Sequence, residues 1–187
     1  MGLKENGVET PAIMLLNDGF TRVHEGIGSL LTDATEPMLG FRASSTANPV
    51  GWLIWHLSRV QDDHFAHLAH ALDPGSTAEQ CWIASDWVSR FDLPYEVNDT
   101  GYGQSSEEVA AFGMYEAELL LGYHADVHER ARKILAGLKD GDLATVIDTS
   151  WDPAVTAGSR LVSILGETTS HLGQAQLVHG IYNDRQN

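Results

Sequence analysis

Residues 48–72 read NPVGWLIWHLSRVQDDHFAHLAHAL, and this stretch decides the fold class. Asn48-Pro49 is a helix-start signal, because an Asn side chain caps free backbone N–H groups and a proline at the first helical position sacrifices no hydrogen bond. Val50, Leu53, Leu57, Val60, His64 and Leu68 then recur at spacings of three and four. That is the stripe of a helix with one face turned to a core. Asp73-Pro74-Gly75 stops it, so a helix is expected over about 49–72.

The same grammar repeats on both sides. Upstream, Thr10-Pro11 opens a second stripe of Ile13, Leu16, Phe20, Val23, Ile27 and Leu30, a helix near 11–33. Pro37, Gly40 and Ser44-Ser45-Thr46 make the loop between the two. Downstream, residues 73–106 are punctuated by Pro74, Gly75, Pro94, Gly101 and Gly103, with Ser85–Phe91 able to form a short helix across the bundle. Such a long connection in a compact chain is expected to carry something. Ser105 and Glu108 have capping-box spacing and open a third long helix through Phe112, Leu119, Tyr123, Val127, Ile134 and Leu138. After a loop with Trp151-Asp152-Pro153, a last helix is expected over about 157–183, with Leu161, Leu165, Leu172, Val178 and Ile181 on its stripe. No convincing strand pair and no internal repeat stand out. The expectation is an all-α four-helix bundle, one domain over 1–187, with a long crossover between helices two and three.

Composition narrows the function classes. A chain of 187 residues with 43% apolar content suits one core. Eleven Lys and Arg against 26 Asp and Glu give a net charge of −15, which repels phosphate backbones and anionic bilayers. Neither a nucleic-acid nor a membrane partner is expected. The single cysteine, Cys81, forms no internal disulfide, which agrees with a reducing cytosol, and no run approaches the ~20 apolar residues of a membrane span. A cytoplasmic protein is expected. Nine histidines remain to be explained.

His56 lies three beyond Leu53 and four before Val60, which places an imidazole on or beside the buried stripe. On the last helix Glu167 and His171, four apart, share a face with Ile164, Ala175 and Val178, so that face looks inward. A carboxylate buried there has to be protonated, paired or bound to a metal. A lone core histidine is usually just hydrogen-bonded, and an exposed Glu–His pair is usually just solvated. The convergence of three ligand-type side chains from two helices favours a divalent ion held by His56, Glu167 and His171. Three protein ligands with an open position are the pattern of a catalytic site, not a closed structural one.

The other histidines have plainer readings. His124 and His128 are also four apart but sit in a strongly charged segment that reads as the edge of a solvent face. His64, His67 and His70 crowd a helix C-terminus, where imidazole is favoured by the helix dipole. His24 is at a boundary or supports the site from outside, and His179 is at the rim. Asp63 and His64 lie about two turns, roughly 10 Å, beyond His56, too far to close the site with a fourth ligand.

The segment Asn48 to His56, followed by Glu167 through Gln174, resembles the DinB-like four-helix bundles, including the metal-binding domain of mycothiol-dependent maleylpyruvate isomerase. Many members carry His-x-x-x-His-x-Gly-Gln on the last helix. This chain has Glu167 at the first position, as the isomerase branch does, and keeps His171, Gly173 and Gln174. The resemblance implies His56, Glu167 and His171 as ligands of zinc in the first place, or of nickel. It also implies a metal-dependent enzyme acting on a small molecule, a transferase or isomerase that uses a low-molecular-weight thiol of the mycothiol or bacillithiol type. Gln174 and His24 would orient the bound group, and Trp55, Trp87 and the 73–106 connection would shape the pocket. The isomerase has a second domain for which 187 residues leave no room, so its own activity is not carried over. The alternatives are a metal-dependent hydrolase and a non-catalytic, stress-related metal- or ligand-binding bundle, with a homodimer as a candidate assembly.

Overall fold

The computed structural model describes residues 10–76 and 79–186. Thr10 begins the first long helix, α1 (Pro11–Leu31), by accepting the Ile13 N–H on its hydroxyl. Ile13, Phe20, Val23, Ile27 and Leu30 are all buried, so the stripe read from the sequence is the core face. A single turn, α2 (Glu36–Leu39), leads to α3 (Val50–Leu72). Here Pro49 itself holds the cap position with no side-chain cap bond, so Asn48 does not play the part its identity suggests. Every residue of α3 from Val50 to Asp62 is buried, polar ones included, which one apolar stripe does not account for.

The cause is the connection that follows. It forms α4 (Cys81–Ala84), α5 (Trp87–Phe91) and α6 (Ser106–Ala110), and it wraps the face of α3 that would otherwise meet solvent. Asp62 accepts the N–H groups of Cys81 and Trp82, each at 2.8 Å, and the Tyr123 hydroxyl at 3.0 Å. Arg59 donates to the Asp99 carbonyl and to the Gln80 side chain. These bonds tie the connection to α3 through a buried Arg59–Asp62 pair 3.8 Å apart. Burial pushes the Asp62 carboxyl upward in pKa, while the two N–H groups and Arg59 pull it back.

The capping box at Ser105 and Glu108 is present, yet it starts only the short α6. Gly113, at φ 63°, then turns the chain through a conformation that side chains resist, and the third long helix, α7 (Ala117–Gly137), begins beyond it. A short antiparallel pair, β1 (Val146–Asp148) and β2 (Val155–Thr156), precedes the last helix, α8 (Ala157–Asp184). These strands leave no mark in the residue pattern because the pairing covers so few residues.

Side-chain neighbours give the helix directions. Along α1 and α8, Gly19 sits by Leu165 and Gly26 by Leu172, so the two run parallel. α8 is antiparallel to α3, since His56 approaches Glu167 while His64 approaches Arg160. Leu53 and Leu120 belong to the core cluster at one end and Leu68 and Leu135 to the cluster at the other, so α3 and α7 are parallel and the connection between them is a crossover. The molecule is all-α in architecture, its strand pair a small addition. No described helix is long and apolar enough to cross a membrane.

Candidate metal centre

α3 and α8 bring His56, Glu167 and His171 together, with one ligand atom from each lying within 4.8 Å of the others. Glu167 Oε1 is 3.0 Å from His171 Nε2 and 3.9 Å from His56 Nε2. The two imidazole rings stand nearly perpendicular, at 80°, with centroids 4.7 Å apart. A tetrahedral site with bonds near 2.1 Å holds its ligand atoms about 3.4 Å from one another, so the Glu167–His171 separation has to open and the Glu167–His56 separation to close, each by about half an ångström.

Both imidazoles are oriented from behind. His56 Nδ1 donates to the Thr100 carbonyl at 2.5 Å, and Trp52 stacks on the same ring at 4.7 Å. His171 Nδ1 donates to Gln174 Oε1 at 3.0 Å. With an ion bound, an Nδ1 engaged by an oxygen acceptor would carry the ring hydrogen and leave Nε2 to ligate; without one, His171 Nε2 is within hydrogen-bond distance of Glu167 Oε1. Both Nε2 atoms face Glu167, so the donor set fits a divalent ion that takes nitrogen and oxygen ligands. Burial pushes His56 down in pKa, favouring the neutral ring that a metal requires. Glu167 itself is 45% exposed, which corrects the expectation that its carboxylate is buried. What draws the three together is convergence on one point, not desolvation of the acid.

The supporting roles fall partly elsewhere. Gln174 holds a ligand histidine instead of reaching toward a bound group. Trp55 and Trp87 are core residues, and Trp87 packs against Gly122 and bonds to Asp126, away from the centre. The crossover does shape the site, through Thr100, Gly101 and Tyr102. Gly101, at φ 90°, is packed so closely that a Cβ there would lie 2.8 Å from Trp52 and 2.9 Å from His56 Nδ1. Only glycine lets the loop come near enough for Thr100 to engage His56. Beside the centre, Val60, His64, Tyr102, Trp151, Arg160 and Glu167 line a cavity of about 520 Å³.

His124 and His128 are buried, which overturns their reading as a solvent edge. Their α7 face is covered by α1, and His24 stacks on both rings at 5.4 and 4.4 Å. The near-parallel rings turn faces, not nitrogens, toward one another. Ser58 donates its hydroxyl hydrogen to the Ile54 carbonyl and accepts from His124 Nδ1. Burial, reinforced by the neighbouring histidines, pushes His124 down to about 3 and His128 down to about 4. A second group of ligand atoms, from Asp63, His64 and His67, also lies within 4.8 Å. There the Arg160 guanidinium is 3.3 Å from His64 Nδ1 and occupies that lone pair, which disfavours a second cation.

No curated protein matches the chain. A conserved protein from Enterococcus faecalis, known from its crystal structure, is similar at 29% identity and a TM-score of 0.79, over 90% of this chain and 95% of that one. The family model of the DinB superfamily matches residues 20–175, more than half of the chain. By this match and by its fold, the chain belongs to the DinB superfamily.

Proposed function

We propose that the protein binds one divalent ion, zinc first and nickel second, through His56, Glu167 and His171, and that it is a metal-dependent enzyme using a low-molecular-weight thiol as cosubstrate. The observation that carries the reading is that both imidazoles have Nδ1 engaged by oxygen acceptors while both Nε2 atoms converge on Glu167 Oε1. An ion bound there supplies Lewis acidity, lowering the pKa of a thiol or water at its open position.

The chain's own residues contribute orientation and access. The Thr100 carbonyl and Gln174 hold the two rings, and the adjoining cavity admits a small molecule to Glu167. The one cysteine is a poor nucleophile. Cys81 is buried on the far side of α3, and burial next to Asp62 pushes its thiol up to about 12. Sulfur chemistry at this centre therefore needs a thiol from outside. The wider resemblance to the mycothiol-dependent isomerase branch, with Glu at position 167, supports the same choice.

Elemental analysis of tag-free protein tests the ligand set. Stoichiometric zinc or nickel that both His56→Ala and Glu167→Ala lose is the expected result, and full retention in either variant overturns it. A panel of thiols with electrophiles, run beside esters and amides, then tests the reaction class. Turnover that requires the thiol is expected, and hydrolysis in its absence would replace the transferase reading with a hydrolase.

A further inference from the structure

The cavity beside the metal centre has two features that ion binding does not use. The first is Arg160, the one Lys or Arg among the described residues lining it. It stands seven residues before Glu167 on α8, two turns or about 10 Å along the same face. Its guanidinium is held from behind. Nη2 donates to Asp148 Oδ2 at 3.1 Å, and Nη1 donates to His64 Nδ1 at 3.3 Å. Asp148 lines the neighbouring cavity and not this one. A guanidinium has five N–H groups, and these two bonds leave others for a ligand in the cavity that Arg160 lines. Asp63 also lines the cavity, but its carboxylate is engaged by the Gln80 amide at 2.9 Å and by His67 at 3.3 Å.

The second feature is aromatic. Tyr102 on the crossover and Trp151 before β2 stand at the rim with 90% and 68% of their surface exposed. Val60 and Ile164 supply an apolar wall beneath them. Two large rings left in water around a cavity are placed to cover the apolar body of a ligand.

We propose that this cavity binds a small organic acid, its carboxylate on the Arg160 guanidinium and its apolar body between Tyr102 and Trp151. The site deepens the function proposed above by naming the chemical class of one substrate, and it rests on that reading for its link to the metal. A carboxylate matches the planar fork of arginine, and the Asp148 and His64 bonds hold that fork in place so that little ordering is left to binding.

Calorimetric titration with 3-phenylpropionate, its amide and 3-phenylpropylamine tests this, with metal content measured on every sample. The acid should bind at least tenfold more tightly than the amide, and the amine should bind least. Arg160→Gln should erase the preference for the acid while leaving metal content unchanged, and Trp151→Ala should weaken acid and amide alike. Asp148→Asn keeps the guanidinium and should retain the preference, which separates loss of the charge from loss of the ion pair. Equal affinity for acid and amide in the wild type overturns the proposal, as does a preference that survives Arg160→Gln. A preference that disappears with the metal in His56→Ala but not in Arg160→Gln places the carboxylate on the ion and also overturns it. An Arg160-dependent preference in protein that takes up no metal would instead sink the metal-enzyme reading and leave this site standing.

Discussion

The main-chain oxygen of Thr100 lies 2.5 Å from Nδ1 of His56, so a loop 44 residues away in sequence sets which nitrogen of a core imidazole carries the proton. The contact depends on Gly101, whose positive φ and lack of a Cβ bring the loop down onto the ring. Gly101→Ala should destabilise the fold by about 1–3 kcal/mol and weaken metal binding about 10- to 100-fold. Gly173→Ala, in open space on α8, serves as the control and should be neutral or slightly stabilising. Thermal unfolding and competitive metal titration measure both.

Gln174 makes a separable contribution, because its side-chain hydrogen bond goes to the ligand His171. Gln174→Leu should reduce metal affinity by about 10- to 100-fold, through loss of the orienting acceptor. Its melting temperature without metal should be close to wild type, since the residue is exposed. Glu in its place keeps an acceptor and should restore most of the affinity.

Stability should fall in mild acid, and the sign follows from the buried imidazoles. His124 and His128 stay neutral in the fold down to about 3 and about 4, whereas the unfolded chain takes up their protons near the ordinary histidine value. Below about pH 6.5 the unfolded state therefore binds more protons, and stability is lost as pH falls toward 4. Each histidine contributes at most about 1.4 kcal/mol per pH unit. Urea unfolding of metal-free protein at pH 7 and pH 5 reads the slope, and His124→Gln should flatten it.

The Arg59–Asp62 pair fastens the crossover to α3. Asp62→Ala leaves a buried guanidinium without its carboxylate and two N–H groups without an acceptor, so a loss of about 3–5 kcal/mol is expected. Limited proteolysis should then cut first within 79–105, the segment those bonds hold, while Asp18→Ala, an exposed partner of Arg22, should change little.

The sequence was most readable where a helix buries one face. On α1 the apolar period of three and four names the buried residues directly. The same period on α3 and α8 places His56, Glu167 and His171 on facing surfaces, and they do meet. Reading failed where burial comes from more than one side. Arg59 and Asp62 are buried because the crossover covers the outer face of α3, and a polar residue off the stripe gives no hint of that cover. His124 and His128 were misplaced because their segment is charged, although the charges and the histidines lie on different faces of α7. The helix signature at Ser105 is sound as chemistry, but the element stops at Ala110 and Gly113 then turns the chain before α7. His24, expected to orient a metal-bound group, stacks instead on His124 and His128, rings on another helix that its own place in the sequence does not announce. The one available clue to Arg160 was its two-turn spacing from Glu167.

The crossover and the loop before β2 deliver the cavity's rim, whereas every candidate ligand of the ion stands on a long helix. Inheritance can act on these parts separately. Substitutions at Tyr102 or Trp151 touch surfaces that carry no share of the core, so a lineage can exchange one small molecule for another there without endangering the frame. Gly101 marks the boundary of that freedom: the loop is free to drift on one side of it, and on the other it is bound to His56.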